Sequence, residues 1–180
     1  SDSRAKVDFA GSGGVFDIKS LEIKLGDNSV MAYSNGGKIT TSTLGGIFFS
    51  GLGNNTILTF ASNNGSIIID DTKLADFLTA PGSVSVGTGT MPFMAENGTV
   101  ENTVISGTEG LILNTAVGIK AYSKEGTSVA VSPVNTNVIN SGILTMKNNS
   151  GGVSALNVKY GVATNNGTVV LHDNNSVGIY

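Results

Sequence analysis

The sequence predicts an all-β chain wound as a parallel β-solenoid. Three observations carry the prediction: a short turn phrase that recurs, strand-like apolar clusters too closely spaced for helices between most of them, and 19 Asn against no Gln in 180 residues. Both side chains carry an amide, but the shorter one tolerates the left-handed backbone region and bonds its own backbone in Asx turns. The imbalance therefore assigns the amides to turn geometry.

The turn phrase is a turn residue, then Ser or Thr, then a β-branched residue that opens a strand. It reads Asp27-Asn28-Ser29-Val30, Asn54-Asn55-Thr56-Ile57, Asn64-Gly65-Ser66-Ile67, Pro81-Gly82-Ser83-Val84, Asn97-Gly98-Thr99-Val100, Asn166-Gly167-Thr168-Val169 and Asn174-Asn175-Ser176-Val177. Ahead of these, Glu22 and Lys24 alternate with Leu21, Ile23 and Leu25, the pattern of a strand with one solvated face. Further along, the clusters Leu111–Leu113, Val129–Val131, Val138-Ile139, Ile143-Leu144, Leu156 with Val158, and Val169–Leu171 each read as a short strand. A second phrase sets Gly between strand residues, in Val117-Gly118-Ile119, Tyr160-Gly161-Val162 and Val177-Gly178-Ile179. Gly inside a strand marks a bend or a close backbone approach.

Residues 71–96 break the pattern. Leu74, Phe77 and Leu78 follow helical spacing, Asp71 or Thr72 can cap, and Pro81-Gly82 stops the run, which predicts a short helical excursion near residues 72–80. Met91-Pro92-Phe93-Met94 then reads as a second excursion, with apolar residues in a loop.

Composition removes several functions. Without Cys the chain has no disulfide framework, thiolate metal site or thiol nucleophile. Its net charge of -3 with a single Arg argues against a phosphate-binding surface, so no nucleic-acid partner is expected. Charged residues are 13% of the chain, about half the usual share. Leu, Ile, Val and Phe together number 51, enough for a packed core. No run approaches the roughly 18 apolar residues of a membrane helix.

A sandwich or barrel wants strands of about five or six residues in hairpins. A solenoid wants shorter strands, tight turns and a core buried only by stacking, which fits better. Stacking also places Asn over Asn at a spacing of about 4.8 Å, where amide ladders bond without charge. Circuits of about 20 to 25 residues would give roughly seven to nine of them.

The stretch from Val117-Gly118-Ile119-Lys120-Ala121-Tyr122 through Ile139-Asn140-Ser141-Gly142-Ile143-Leu144-Thr145, Tyr160-Gly161-Val162-Ala163 and Asn174-Asn175-Ser176-Val177-Gly178-Ile179-Tyr180 resembles the passenger repeats of type V autotransporter adhesins, most of all the large fusobacterial outer-membrane adhesins. The resemblance is good over residues 97–180 and looser over 1–96. It implies a right-handed parallel β-helix on a Gram-negative surface, extracellular and anchored through an outer-membrane β-barrel absent from this chain. It also implies adhesion to other bacteria, host glycans or host receptors. The chain begins Ser1-Asp2-Ser3 and ends within a strand pattern, so residues 1–180 are expected to be one monomeric solenoid segment of a longer passenger. A trimeric adhesin head, suggested by Asn175-Ser176-Val177, is the competing fold.

No catalytic residue, metal site or cofactor is expected. His172 is the sole histidine, and the adjacent Asp173 would point to the opposite strand face. Asp70-Asp71 is an adjacent pair that seldom converges, and Asp71 already serves as a cap. Gly13-Gly14-Val15-Phe16-Asp17 has the wrong spacing for a calcium nonapeptide, and Gly51-Leu52-Gly53 and Gly87-Thr88-Gly89 lack the rest of a dinucleotide loop. Excursions from a solenoid are free to carry binding. Lys73, Asp76, Met91, Phe93 and Met94 are therefore the expected partner contacts. A stalk that only spaces a distal tip, and a polysaccharide-active enzyme with carboxylates paired across circuits, are the alternatives.

Overall fold

The structure, a computed structural model, describes residues 21–79, 85–124, 135–147, 152–172 and 174–180. Expectations at Gly13–Asp17, Pro81–Val84, Val129–Val131 and Asp173, and for the side chain of Phe77, lie outside the described residues.

Strands are numbered in chain order, and every strand pair is parallel. A six-stranded sheet holds β2 (Val30–Asn35), β5 (Ile57–Ser62), β7 (Met91–Glu96), β10 (Val117–Tyr122), β13 (Ser154–Lys159) and β16 (Val177–Ile179). A five-stranded sheet holds β3 (Lys38–Thr40), β6 (Ser66–Ile69), β8 (Thr99–Asn102), β11 (Asn137–Asn140) and β14 (Val162–Asn165). A third side carries β1 (Leu21–Leu25) with β4 (Ile47–Leu52), and separately β9 (Leu111–Leu113), β12 (Ile143–Met146) and β15 (Thr168–Leu171). The chain visits the six-stranded sheet, the five-stranded sheet and the third side in the same order again and again. In the six- and five-stranded sheets each strand pairs with its counterpart one circuit later.

Most of the circuits are longer than the sequence suggested, and they are unequal. In the five-stranded sheet Ile39 pairs with Ile67, Ile67 with Val100, Val100 with Val138, and Val138 with Ala163. Hydrogen-bonded neighbours on successive circuits are accordingly 28, 33, 38 and 25 residues apart. Among the described residues the six-stranded sheet holds six strands, where seven to nine circuits were expected of the whole chain. Corner segments absorb the extra length, the helix among them, while the strands keep their register.

In-register stacking makes the core from columns of like residues. Leu111 lies beside Leu144, and Phe93 beside Ile119 and then Leu156; all five are essentially solvent-free. Ala61, Ala95 and Ala121 form a column of small residues next to it. Among the described residues, six of the seven non-glycine residues with positive φ are Asn, including Asn28, Asn55, Asn64, Asn97 and Asn175 of the turn phrases. The left-handed turn geometry assigned to Asn is present there.

Polar columns stack as well. Asn140 donates from Nδ2 to Asn165 Oδ1 and accepts from Asn102 Nδ2, both at 2.8 Å. Asn102 and Asn140 are fully buried, and their amides also bond the carbonyls of Ile143 and Thr168. The Asn-over-Asn ladder therefore lies inside the body at one corner of the five-stranded sheet. The turn that follows needs glycine, because a Cβ on Gly167 would run into the backbone of Gly142 directly beside it.

The helical excursion is real but short: α1 spans Lys73–Thr79. The Asp71 carboxylate accepts the Lys73 N–H at 2.7 Å, the capping role expected of it. Leu74, Ala75 and Leu78 are buried, and α1 packs against β9, β4 and the 3₁₀ turn Thr41–Leu44, where the third side is interrupted.

The second excursion is not a loop. Met91–Glu96 is β7, in the interior of the six-stranded sheet. Pro92 would be expected to exclude such a place because it lacks a ladder donor. Pairing lapses at its position: Ile57 pairs with Met91 and Thr59 with Phe93, but Leu58 and Pro92 are not partners, and the register with β10 begins only at Phe93. The same lapse falls at Gly118 beside Ala155 and at Met31 beside Leu58, so Pro92 occupies a position left unpaired on neighbouring strands too. A Cβ at Gly118 would press on the Ala155 carbonyl and the Met146 sulfur, which accounts for one of the intra-strand glycines.

Candidate functional site on the outer face of the six-stranded sheet

The five residues picked from sequence do not converge. Lys73 and Asp76 are exposed on α1, against the third side of the body. Lys73 lies 3.8 Å from the Asp71 carboxylate. Met91 is half-buried at the start of β7. Phe93 is 1% exposed within the core and cannot touch a partner, because the strand alternation places it on the inner face. Met94, next to it, points the other way.

Beyond the lapse in pairing, Tyr33, Phe60, Met94, Lys120 and Asn157 pair in register across β2, β5, β7, β10 and β13. Their neighbours Ala61, Ala95 and Ala121 face the core, so this column faces out. Two residues along each strand, Asn35, Ser62, Glu96, Tyr122 and Lys159 make a second outward column.

The two columns support one another. The Tyr33 and Phe60 rings stack with centroids 5.7 Å apart and planes 20° apart, as the rung spacing encourages. The Tyr33 hydroxyl meets the Ser62 hydroxyl at 2.8 Å. The Tyr122 hydroxyl donates to Glu96 Oε2 at 2.8 Å. Burial, reinforced by this bond and the Glu96 charge, pushes the Tyr122 phenol up to about 12. Met94 is 8% exposed although it is on the outside, because it lies between Phe60 and Lys120 in the column. Lys120 is half-buried on the next rung.

Tyr33, Phe60, Glu96, Lys120 and Tyr122 were missed in the sequence because each lies in an ordinary strand. Only the step between circuits brings them together. The alternation of Ile119, Lys120, Ala121 and Tyr122 in β10 was the available signal, and without the register it names a face but not its neighbours.

Other polar groups are engaged in structure. The Asp70 carboxyl loses by burial but gains more from the Ser42 N–H and hydroxyl and the Thr41 hydroxyl, so its pKa falls below the ordinary value. Hydrogen bonding to Lys147 lowers the pKa of Glu109. His172 is exposed just after β15. Among the described residues no three of His, Asp and Glu gather as a metal site would require. The outer face offers apolar contact, the ammonium groups of Lys120 and Lys159 and several hydrogen-bond acceptors.

Comparison with known proteins finds no matching family, no similar curated protein and no similar solved structure.

Proposed function

We propose that the chain is a segment of a right-handed parallel β-solenoid displayed at a Gram-negative cell surface as an adhesin passenger, and that the outer face of the six-stranded sheet is its contact surface. The observation that carries this is the outward column Tyr33-Phe60-Met94-Lys120, held in register on four neighbouring strands. These side chains add nothing to the inner core, yet they make an ordered amphipathic strip on a rigid sheet, the support that favours precise recognition. The chemistry suits a receptor or glycan of a host cell or a neighbouring bacterium. The resemblance of residues 97–180 to autotransporter passenger repeats supports the same location.

The test is attachment of beads bearing the folded chain to host epithelial cells and to co-resident bacteria. Attachment should fall with Tyr33→Ser plus Phe60→Ser, and stay level when Lys73 and Asp76 are both replaced by Ala. Attachment lost only in the helix variants would overturn the assignment of the face. No attachment by the parent chain would favour the stalk reading, which the repeated cross-section and internally bonded Asn ladder also suit.

A further inference from the structure

Lys120 combines three properties. Its side chain is half-buried between Met94 and Asn157 on a central strand. It has neither an ion-pair partner nor a side-chain hydrogen bond among the described residues. Its surroundings offer acceptors that nothing fills: Glu96 uses Oε2 for Tyr122 and leaves Oε1 open, and Asn157 donates to Ser154 Oγ and leaves its Oδ1 open. A lysine whose stem is half-buried along the sheet and whose ammonium makes no ion pair can offer that ammonium to an anion.

A ligand that suits the face therefore carries an anionic group for Lys120, hydroxyl donors for Glu96 and Asn157, and an apolar side for Met94 and Phe60. A pyranose bearing a carboxylate has all three. An extended acidic peptide gains much of its affinity from main-chain bonds at a sheet edge. Here β7 and β10 have strands on both sides, so no backbone edge is offered. Recognition has to come from side chains, as it does for sugars. Double-stranded or single-stranded nucleic acid would need several clustered cations, against a net charge of -3 for the chain.

We infer that the outer face around Lys120 binds an acidic saccharide, with the ammonium on its carboxylate and the Phe60-Met94 strip under its ring; this rests on the adhesin reading and specifies its ligand class. The probes are 3′-sialyllactose, neutral lactose and a tetraglutamate peptide, titrated onto the immobilised folded chain at low and high salt. Sialyllactose should bind more tightly than lactose and weaken with salt. Lys120→Gln should reduce its affinity about tenfold or more, as loss of a charge-assisted bond does, while Lys120→Arg retains it. Equal binding of sialyllactose and lactose, or an unchanged affinity in Lys120→Gln, overturns the acidic-sugar assignment. Tetraglutamate binding as tightly as sialyllactose also overturns it, in favour of bare anion recognition. In either case, continued cell attachment that depends on Tyr33 and Phe60 leaves the adhesin reading standing; loss of all cell attachment removes both.

Discussion

Asn140 shows how much one amide can hold in this chain. It accepts from Asn102, donates to Asn165 and also bonds the Thr168 carbonyl, with no exposure to solvent. Replacing it with Ala orphans the Asn102 donor and the Thr168 carbonyl bond together. Asn140→Ala should destabilise the fold by about 2 to 4 kcal/mol, the result of leaving buried polar groups unmatched, read from urea unfolding. At Tyr122 the effect is one of pH. Its folded pKa of about 12 lies above the ordinary value of 10.0, so the unfolded chain releases the proton first. The stabilisation is whole below pH 10 and disappears as pH rises through about 12. Glu96→Gln should move the phenol back toward its ordinary range in an ultraviolet titration, leaving only the part due to burial; an unmoved transition would show that Glu96 has no share in it. Of these residues the sequence disclosed the turn amides best. A preference for positive φ belongs to Asn itself, whereas the buried ladder exists only once Asn102, Asn140 and Asn165 are set one above another.

Among the elements, α1 was legible and β7 was not, for opposite reasons. The helix announces itself locally, through the spacing of Leu74 and Leu78 and the Asp71 cap. Its burial against β9 and β4 indicates a plug for the interrupted third side more than a contact surface. Leu74→Ala should therefore cost about 2 to 4 kcal/mol, the range for emptying a buried leucine site. Calorimetry would check it, and a loss below about 1 kcal/mol would mean that the helix rides on the body without sealing it. In β7, Pro92 made a central strand look forbidden. The unpaired position it occupies removes the objection, but that position shows only once β5 and β10 lie beside β7. Phe93 and Met94 then fall on opposite faces, which a loop reading could not foresee. The Asp70 carboxyl, tied to Ser42 and Thr41, joins the start of the helix to the preceding circuit. Its lowered pKa makes this contact a source of stability above the ordinary carboxyl range, lost as the solution becomes more acid.

At the scale of the whole molecule the all-parallel, stacked character was readable, and the circuit length was not. Turn phrases mark corners, but corner insertions of different size separate them, so the spacing between phrases does not give the period. Steps of 28, 33, 38 and 25 residues share one cross-section because register is kept by the strands alone. The low charge is also resolved at this scale. Asn, Thr and Ser bond between circuits in columns, such as Thr56 with Thr90 and Asn63 with Asn35, where charged residues would repel their like.

The Asn ladder and the sheets run their hydrogen bonds along the axis of the stack, and that fixes how the molecule carries load. Contacts join only adjacent circuits, so tension between its ends is borne in series and yields one circuit at a time. Each yielding event would release about 85 to 130 Å of chain, from the extension of roughly 3.4 Å per residue. Single-molecule pulling should give a saw-tooth with unequal steps, the longest belonging to the circuit between β8 and β11; one all-or-none rupture would show that the stack behaves as a single block. A tether of this kind dissipates a sudden pull in stages, and the circuits not yet opened keep their faces in place.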